Sequence, residues 1–443
     1  MGEMSMKKTV IFLLTSIIFL SILTPLTCYA EYNDSINLRA DIACMICVDN
    51  DEAIFNKNYH KKSAPASLTK IMTALVALER CEDLQSPVVI SQYAIDSLVG
   101  TDSSTAGLVP GEKVTMYDLL NCLLVKSANE AAIAIAEYVG GSVPAFLDMM
   151  NKKAKSLGCT GTNYVNVHGL DQDGQYTTAH DMYLICKEAM KNPVFKKIVG
   201  QTSYTIPKTN MNEERILPST NFMINSNYTD CYVSYATGIK TGTTDDAGRC
   251  FITMASKNGY NYIAIVMGAD PKDATAGENA ENIAFIECKK MIEWTFSNIR
   301  YKVVAEENEI ITVLDVKYSW STDFLELVPS EDVAALVPSN LDASSVYIQP
   351  DTDTPEFVKA PVKKGEKIGT ATVYYAGEEI ASVDMVASKS VSRSLILALG
   401  GAIETAWNSV IGKIIFILLV LLVGGYIGYT VFINKKSGKK ARR

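Results

Sequence analysis

The stretch Ile414–Ile433, IIFILLVLLVGGYIGYTVFI, runs twenty residues without a charge. A helix of that length, at about 1.5 Å per residue, spans the roughly 30 Å hydrocarbon core of a bilayer. Residues 414–433 therefore read as one transmembrane helix. A buried helix of a soluble core is the competing reading. The next ten residues, NKKSGKKARR, argue against it, because they carry six cations and no acid. Positive charge stays on the cytoplasmic side. Residues 434–443 are thus expected to form a cytoplasmic tail, with everything before Ile414 outside the cell.

The N-terminus fits that topology. Met6-Lys7-Lys8 precedes the apolar run Val10–Leu23, and small residues follow at Cys28 and Ala30. This is the pattern of a secretory signal peptide over 1–30, cut before Glu31. The rival is an uncleaved anchor. Lipidation at Cys28 fits poorly, because Pro25-Leu26-Thr27 precedes it. Without the signal and the C-terminal segment from Lys413, 32 basic and 48 acidic side chains remain, a net charge of −16. Such a surface repels nucleic acid and excludes it as a partner.

Nine cysteines remain after Cys28, an odd number scattered mostly one per apolar segment. Cys44-x-x-Cys47 lies in the strand-like IACMICV, where positions three apart face opposite ways. Buried free thiols are the expectation. His60, His168 and His180 are too dispersed for a zinc site, and no metal or cofactor is expected.

Alternation over 39–57 predicts a hairpin. Helical periodicity follows over 67–80, VTMYDLLNCLLVKS, NEAAIAIAEYVGG, PAFLDMMNKKAKSLG and HDMYLICKEAMKN. Strands return at YATGIKTGTT, RCFITMAS and YNYIAIVMGA, before a last helix in ENIAFIECKKMIEWTFSNI. Strands at both ends and helices between give an α+β fold: one antiparallel sheet with a helical cluster, over 31–298. Short strands with Gly and Pro turns over 301–388 predict a small all-β domain. A juxtamembrane helix or linker, 389–413, places Trp407 near the interface.

Ser67 and Lys70 sit in PASLTKIMTALVALE, three apart and so on one helical face. Pro65-Ala66 puts Ser67 in the first turn, where free N–H groups favour an anionic oxygen. A lysine wrapped in apolar residues loses charge readily and can take a serine proton. The bland reading is a lysine that snorkels to water. Ser-x-x-Lys alone is weak, since it recurs at Ser5 and Ser437. Ser127-Ala128-Asn129 lies between two helices, with a hydroxyl to relay a proton and an amide to hold a carbonyl. Ser-x-Asn also recurs, at Ser35 and Ser219. Lys240-Thr241-Gly242-Thr243 lies in a strand, and Lys-Thr-Gly occurs once. It offers positive potential, hydroxyls for a carboxylate, and a glycine that lets substrate approach the backbone. A solvated surface turn is the bland reading of each.

Ser-x-x-Lys, Ser-x-Asn and Lys-Thr-Gly in this order resemble the serine penicillin-recognising enzymes. Within that group the chain resembles the D-alanyl-D-alanine carboxypeptidases, the low-molecular-mass penicillin-binding proteins, over 40–300 and more loosely over 301–390. The resemblance implies that Ser67 attacks the peptide bond between two terminal D-alanines of a peptidoglycan stem, with Lys70 as base. Ser127 would pass the proton to the leaving D-alanine. Asn129, Lys240, Thr241 and Gly242 would hold the substrate. Thr243 would bind the terminal carboxylate and, with Ser67, supply the oxyanion hole. β-Lactams would acylate Ser67 and stay. His168 matches a His-Gly-Leu-Asp stretch and reads as a loop-holding residue. The following DQDGQ resembles part of a calcium loop but lacks its remaining ligands. Arg249 has no role assigned by the resemblance.

Two other readings stand beside this one. A β-lactamase shares the three motifs, but no Glu-x-x-Asn lies between Asn129 and Lys240. A non-catalytic wall scaffold on the same fold is opposed by the intact motifs. The motifs do not separate carboxypeptidase from endopeptidase or transpeptidase.

Overall fold

A computed structural model describes residues 35–257, 259–272, 283–341, 345–375 and 377–440. The expected signal peptide lies outside them. The described chain forms two compact units, one ending at Arg300 and the other beginning at Tyr301.

The first unit begins with β1 (Ile42–Cys47), β2 (Ala53–Lys57), a 3-10 turn at Ala66–Leu68 and α1 (Thr69–Arg80). Then come β3 (Pro87–Val89), α2 (Gln92–Asp96), β4 (Lys113–Thr115), α3 (Met116–Leu124), α4 (Asn129–Gly140) and α5 (Val143–Ser156). It continues with α6 (Ala179–Ala189), α7 (Pro193–Val199), β5 (Ser203–Ile206) and β6 (Arg215–Pro218). Three long strands and a helix complete it: β7 (Ala236–Thr244), β8 (Gly248–Lys257), β9 (Tyr260–Ala269) and α8 (Ile283–Asn298).

One antiparallel sheet runs β2-β1-β9-β8-β7. The expected pairing of sequence-distant strands is present, with Ile42 opposite Met267. All six residues of β1 are buried, so both faces of the sheet are covered. Ile42, Cys44 and Ile46 point into the helical cluster with α1, α3 and α4. Met45 points the other way, where Thr295 of α8 donates to its sulfur at 3.3 Å. Cys44 and Cys47 thus face opposite sides. All nine described cysteines are free, and only Cys81 is partly exposed.

Local chemistry fixes the helix ends. Thr115 and Asp118 form a reciprocal capping box on α3. Gly141 ends α4 at φ +72°, a left-handed conformation that glycine adopts without strain.

The second unit holds β10 (Ile299–Ala305), β11 (Thr312–Lys317), β12 (Phe324–Pro329), β13 (Val333–Pro338), β14 (Val346–Pro350), β15 (Phe357–Lys359), β16 (Lys367–Tyr375) and β17 (Glu378–Ala387). Six strands form one sheet in the order β14-β16-β17-β12-β11-β15, and β10 pairs with β13. Leu325, Leu327, Ala371, Val373 and Met385 centre its core. Two helices follow, α9 (Leu395–Asn408) and α10 (Val410–Lys440). The stretch Val410–Val431 is long and apolar enough to cross a membrane, with mean hydropathy 2.6. This helix starts before Ile414 and runs on through Lys440, so the basic segment up to that residue is helical.

Candidate active site

The sheet edge and the helical cluster meet at the turn that carries Ser67. Two glycines make the meeting possible. A Cβ on Gly242 of β7 would stand 3.1 Å from the Ala66 Cβ and 3.2 Å from the Ser67 nitrogen. One on Gly169 would stand 1.8 Å from the Ala66 carbonyl oxygen. Backbone therefore presses on the turn from two sides, and Ala66 itself sits at φ +46°.

Lys70 lies in the first turn of α1 and is fully buried. Its Nζ is 2.8 Å from Ser67 Oγ and donates to the His168 carbonyl at 2.7 Å. Burial pushes the Lys70 pKa well below the usual lysine range, the nearby Lys240 pushes it further, and Glu130 opposes both. Snorkelling is excluded here, and a neutral amine beside a hydroxyl is the arrangement that moves a proton. His168 is held near a pKa of 3 by burial and by Lys70, so its ring stays neutral. Its Nδ1 accepts from the Leu170 N–H at 3.2 Å, which fits the loop-holding reading.

The residues after His168 also brace this turn. Gln175 Nε2 donates to Thr69 Oγ1 at 3.1 Å, and its Oε1 accepts from the N–H groups of Val165 and Asn166. Asp171 accepts from Thr244 Oγ1 and from the Asp246 N–H. The likeness of DQDGQ to a calcium loop thus resolves into contacts with protein groups.

Ser127 sits between α3 and α4 at φ +67°. A non-glycine residue there costs about 1–2 kcal/mol, and its neighbours hold it in place. Ser104 Oγ donates to the Lys126 carbonyl at 2.8 Å, and the Asn129 N–H donates to the Ser104 carbonyl at 2.9 Å. Asn129 Nδ2 donates to Ser103 Oγ at 2.9 Å. Glu130, next in line, accepts from the Ala106 N–H at 2.7 Å, and burial raises its pKa. The segment 103–106, which the motifs did not flag, is the clamp on Ser127 and Asn129.

Lys240 is buried within β7, and its Nζ donates to the Thr241 carbonyl at 3.0 Å. Burial brings its pKa down to about 7. Thr241 Oγ1 lies 2.6 Å from Thr220 Oγ1. Of the eight residues singled out by motif, Ser67, Ser127, Thr241, Gly242 and Thr243 line one cavity of 520 Å³. Lys70, Asn129 and Lys240 are buried next to the lining residues Ser67, Ser127 and Thr241. Phe222, Tyr228, Phe285 and Arg249 also line it, and sequence reasoning gave none of them a role there. Register carries a signal for Arg249, because it lies directly opposite Thr243 in the β7–β8 pair.

Comparison with known proteins shows the family. The family model described as D-alanyl-D-alanine carboxypeptidase matches residues 30–271. A second, the C-terminal domain of penicillin-binding protein 5, matches residues 301–393. The D-alanyl-D-alanine carboxypeptidase DacF of Bacillus subtilis is 29% identical over 80% of this chain and 87% of its own. The D-alanyl-D-alanine carboxypeptidase DacC of Escherichia coli is also 29% identical, over 80% and 84%. Penicillin-binding protein 5 from Haemophilus influenzae superposes with a TM-score of 0.61 at 26% identity, covering 81% of this chain and 99% of that one. The chain belongs to the D-alanyl-D-alanine carboxypeptidase family, the low-molecular-mass penicillin-binding proteins.

Proposed function

We propose that this protein is a serine-type D-alanyl-D-alanine carboxypeptidase that removes the terminal D-alanine from peptidoglycan stem peptides. The observation that carries the reading is the fully buried Lys70 amine, 2.8 Å from the Oγ of Ser67, which lines the cavity. Neutral Lys70 takes the Ser67 proton as Oγ attacks the carbonyl between the two D-alanines. The oxyanion forms against the N–H groups of Ser67 and Thr243. Ser127 delivers a proton to the leaving amine, and free D-alanine departs. Water then attacks the acyl ester on Ser67 and releases the shortened stem. Asn129, Lys240, Thr241 and Gly242 hold the peptide along β7, and Thr243 meets its carboxylate. β-Lactams enter the same path and acylate Ser67.

In this reading the first thirty residues direct export, and the helix at Val410–Val431 anchors the protein with its catalytic unit outside the cell. Trimming pentapeptides there limits cross-linking. The test uses the full chain in detergent micelles. Wild type is expected to release D-alanine from diacetyl-Lys-D-Ala-D-Ala and to gain one benzylpenicillin adduct by intact mass. Ser67→Ala should do neither. Rapid loss of the drug without an adduct would point to a β-lactamase instead.

A further inference from the structure

We infer that Arg249 binds the free carboxylate of the departing residue and so restricts cleavage to chain ends. This rests on the proposed reading and deepens it, since the three motifs do not separate exopeptidase from endopeptidase.

Arg249 lies directly opposite Thr243 in the antiparallel β7–β8 pair, so the two side chains share one face of the sheet. Its Nη1 donates to Thr243 Oγ1 at 3.1 Å. Both residues line the cavity that holds Ser67. The Arg249 Nε is buried and makes no hydrogen bond among the described residues. No described carboxylate makes an ion pair with the guanidinium either, in contrast to Arg215, whose Nη2 meets Glu112 at 2.9 Å. The guanidinium borders the cleft beside Thr243 with no described carboxylate on it, and its planar fork suits a carboxylate in two-point contact.

The surroundings strengthen such a contact. Phe222 and Phe285 stack at 5.4 Å and line the same cavity. An apolar wall lowers the local dielectric and raises the value of an ion pair. The alternative cations are less suited. Lys240 is buried, with its amine on the Thr241 backbone carbonyl. Lys126 lines the cavity beside Ser127, in a segment that makes no bond to Thr243 among the described residues.

The experiment compares diacetyl-Lys-D-Ala-D-Ala with its C-terminal amide, using full-length protein in micelles. Wild type should prefer the acid. Arg249→Gln should lower kcat/KM for the acid by roughly 10- to 100-fold, the worth of a charge-assisted contact, and so collapse the acid-to-amide ratio. Arg249→Lys should fall between, because it keeps charge and loses the fork. Lys126→Gln should keep the wild-type preference. A purely structural arginine would instead lower both substrates together and leave the ratio unchanged, which overturns the inference. A wild-type ratio near one overturns it without any variant, and an unchanged ratio in Arg249→Lys does so should Arg249→Gln fail to fold. Wild type that cleaves neither substrate and takes no penicillin sinks the proposed activity itself, a separate outcome.

Discussion

Among the described residues, the first unit buries Lys70, Glu112, Asp118, Glu130, Asp181, Lys240 and Glu287, whereas the second buries no charged side chain and only Ser319 and Thr372 among polar ones. The second unit is an alternating sheet whose core a handful of Leu, Val and Met residues fill. The first has to satisfy charges inside a packed interior, and most of them have partners. Glu112 accepts from Thr209, Asn212, Arg215 and the Val109 N–H. Glu287 accepts from the Arg39 N–H and from Lys290. Lys70 and Lys240 differ, because neither forms an ion pair with a described carboxylate. Each is kept where its charged form is unfavourable, and that is what a proton acceptor and a tunable donor require. The difference teaches where stability has been set against chemistry.

The largest expected effect tests that trade directly. Lys70→Met should cut D-alanine release by on the order of 10³-fold or more, since Ser67 loses its base. The same variant should unfold no more easily than wild type, and is expected to gain about 1 kcal/mol, because an apolar chain replaces a buried amine. A clear drop in urea midpoint would mean that Lys70 holds the fold, and the comparison would break. Glu112→Ala comes next. It strips Arg215 of its carboxylate in a buried site and should cost about 3–5 kcal/mol. Thr372→Val in the second unit loses only a hydroxyl bond to Asp351 and should cost about 1 kcal/mol.

Lys240 sharpens the comparison through pH. Its folded pKa, about 7, is below the ordinary lysine value of 10.5. Between those values the unfolded chain binds the proton and the folded chain does not. Stability therefore rises with pH across that window, by up to about 1.4 kcal/mol per pH unit per group. Lys70 adds to the slope with the same sign, because its pKa is also depressed. Unfolded thiols have an ordinary pKa of about 8.5 and push the other way as pH rises, equally in wild type and in a variant that keeps the cysteines. Urea midpoints from pH 7 to 8.5 should therefore shift more favourably in wild type than in Lys240→Met. An identical slope in the variant would mean that Lys240 stays charged in the fold.

Much of this arrangement was legible in the sequence, for reasons that differ by element. The helices α1, α3, α4, α5 and α6 are periodic, and all but α1 start on a capping side chain or end on glycine, so their faces could be read directly. The long strands β7, β8 and β9 declare themselves by apolar runs between turns. The pairs β3–β4 and β5–β6 and the short helices α2 and α7 did not. Their strands are three or four residues long with few buried positions, and tertiary contacts rather than pattern hold them. At the site, motif order brought eight residues together, but burial depth was not readable. Nothing in Ser-x-Asn shows that Asn129 is buried and bonded to Ser103. Nor could Gly169 be linked to Ala66 across a hundred residues, because that contact exists only once α1 and the 166–175 loop have packed.

The smallest effect compares two surface-reaching lysines with similar bonds. Lys290 meets Glu287 at 2.8 Å in the first unit, and Lys367 meets Asp384 at 2.6 Å in the second. Distance alone would rank them equal or favour the second pair. Burial ranks them the other way. Glu287 has no exposed surface, while Lys367 and Asp384 are 56% and 45% exposed. Water and salt screen the exposed pair, so Lys367→Ala should change local stability by less than about 0.5 kcal/mol. Lys290→Ala leaves a buried carboxylate with fewer donors and should cost about 1–2 kcal/mol. Hydrogen exchange in α8 and in β16–β17 reads each unit separately, so neither result depends on the other unit unfolding. Equal protection losses at the two sites would show that buried charge in the first unit is no more demanding than surface charge in the second.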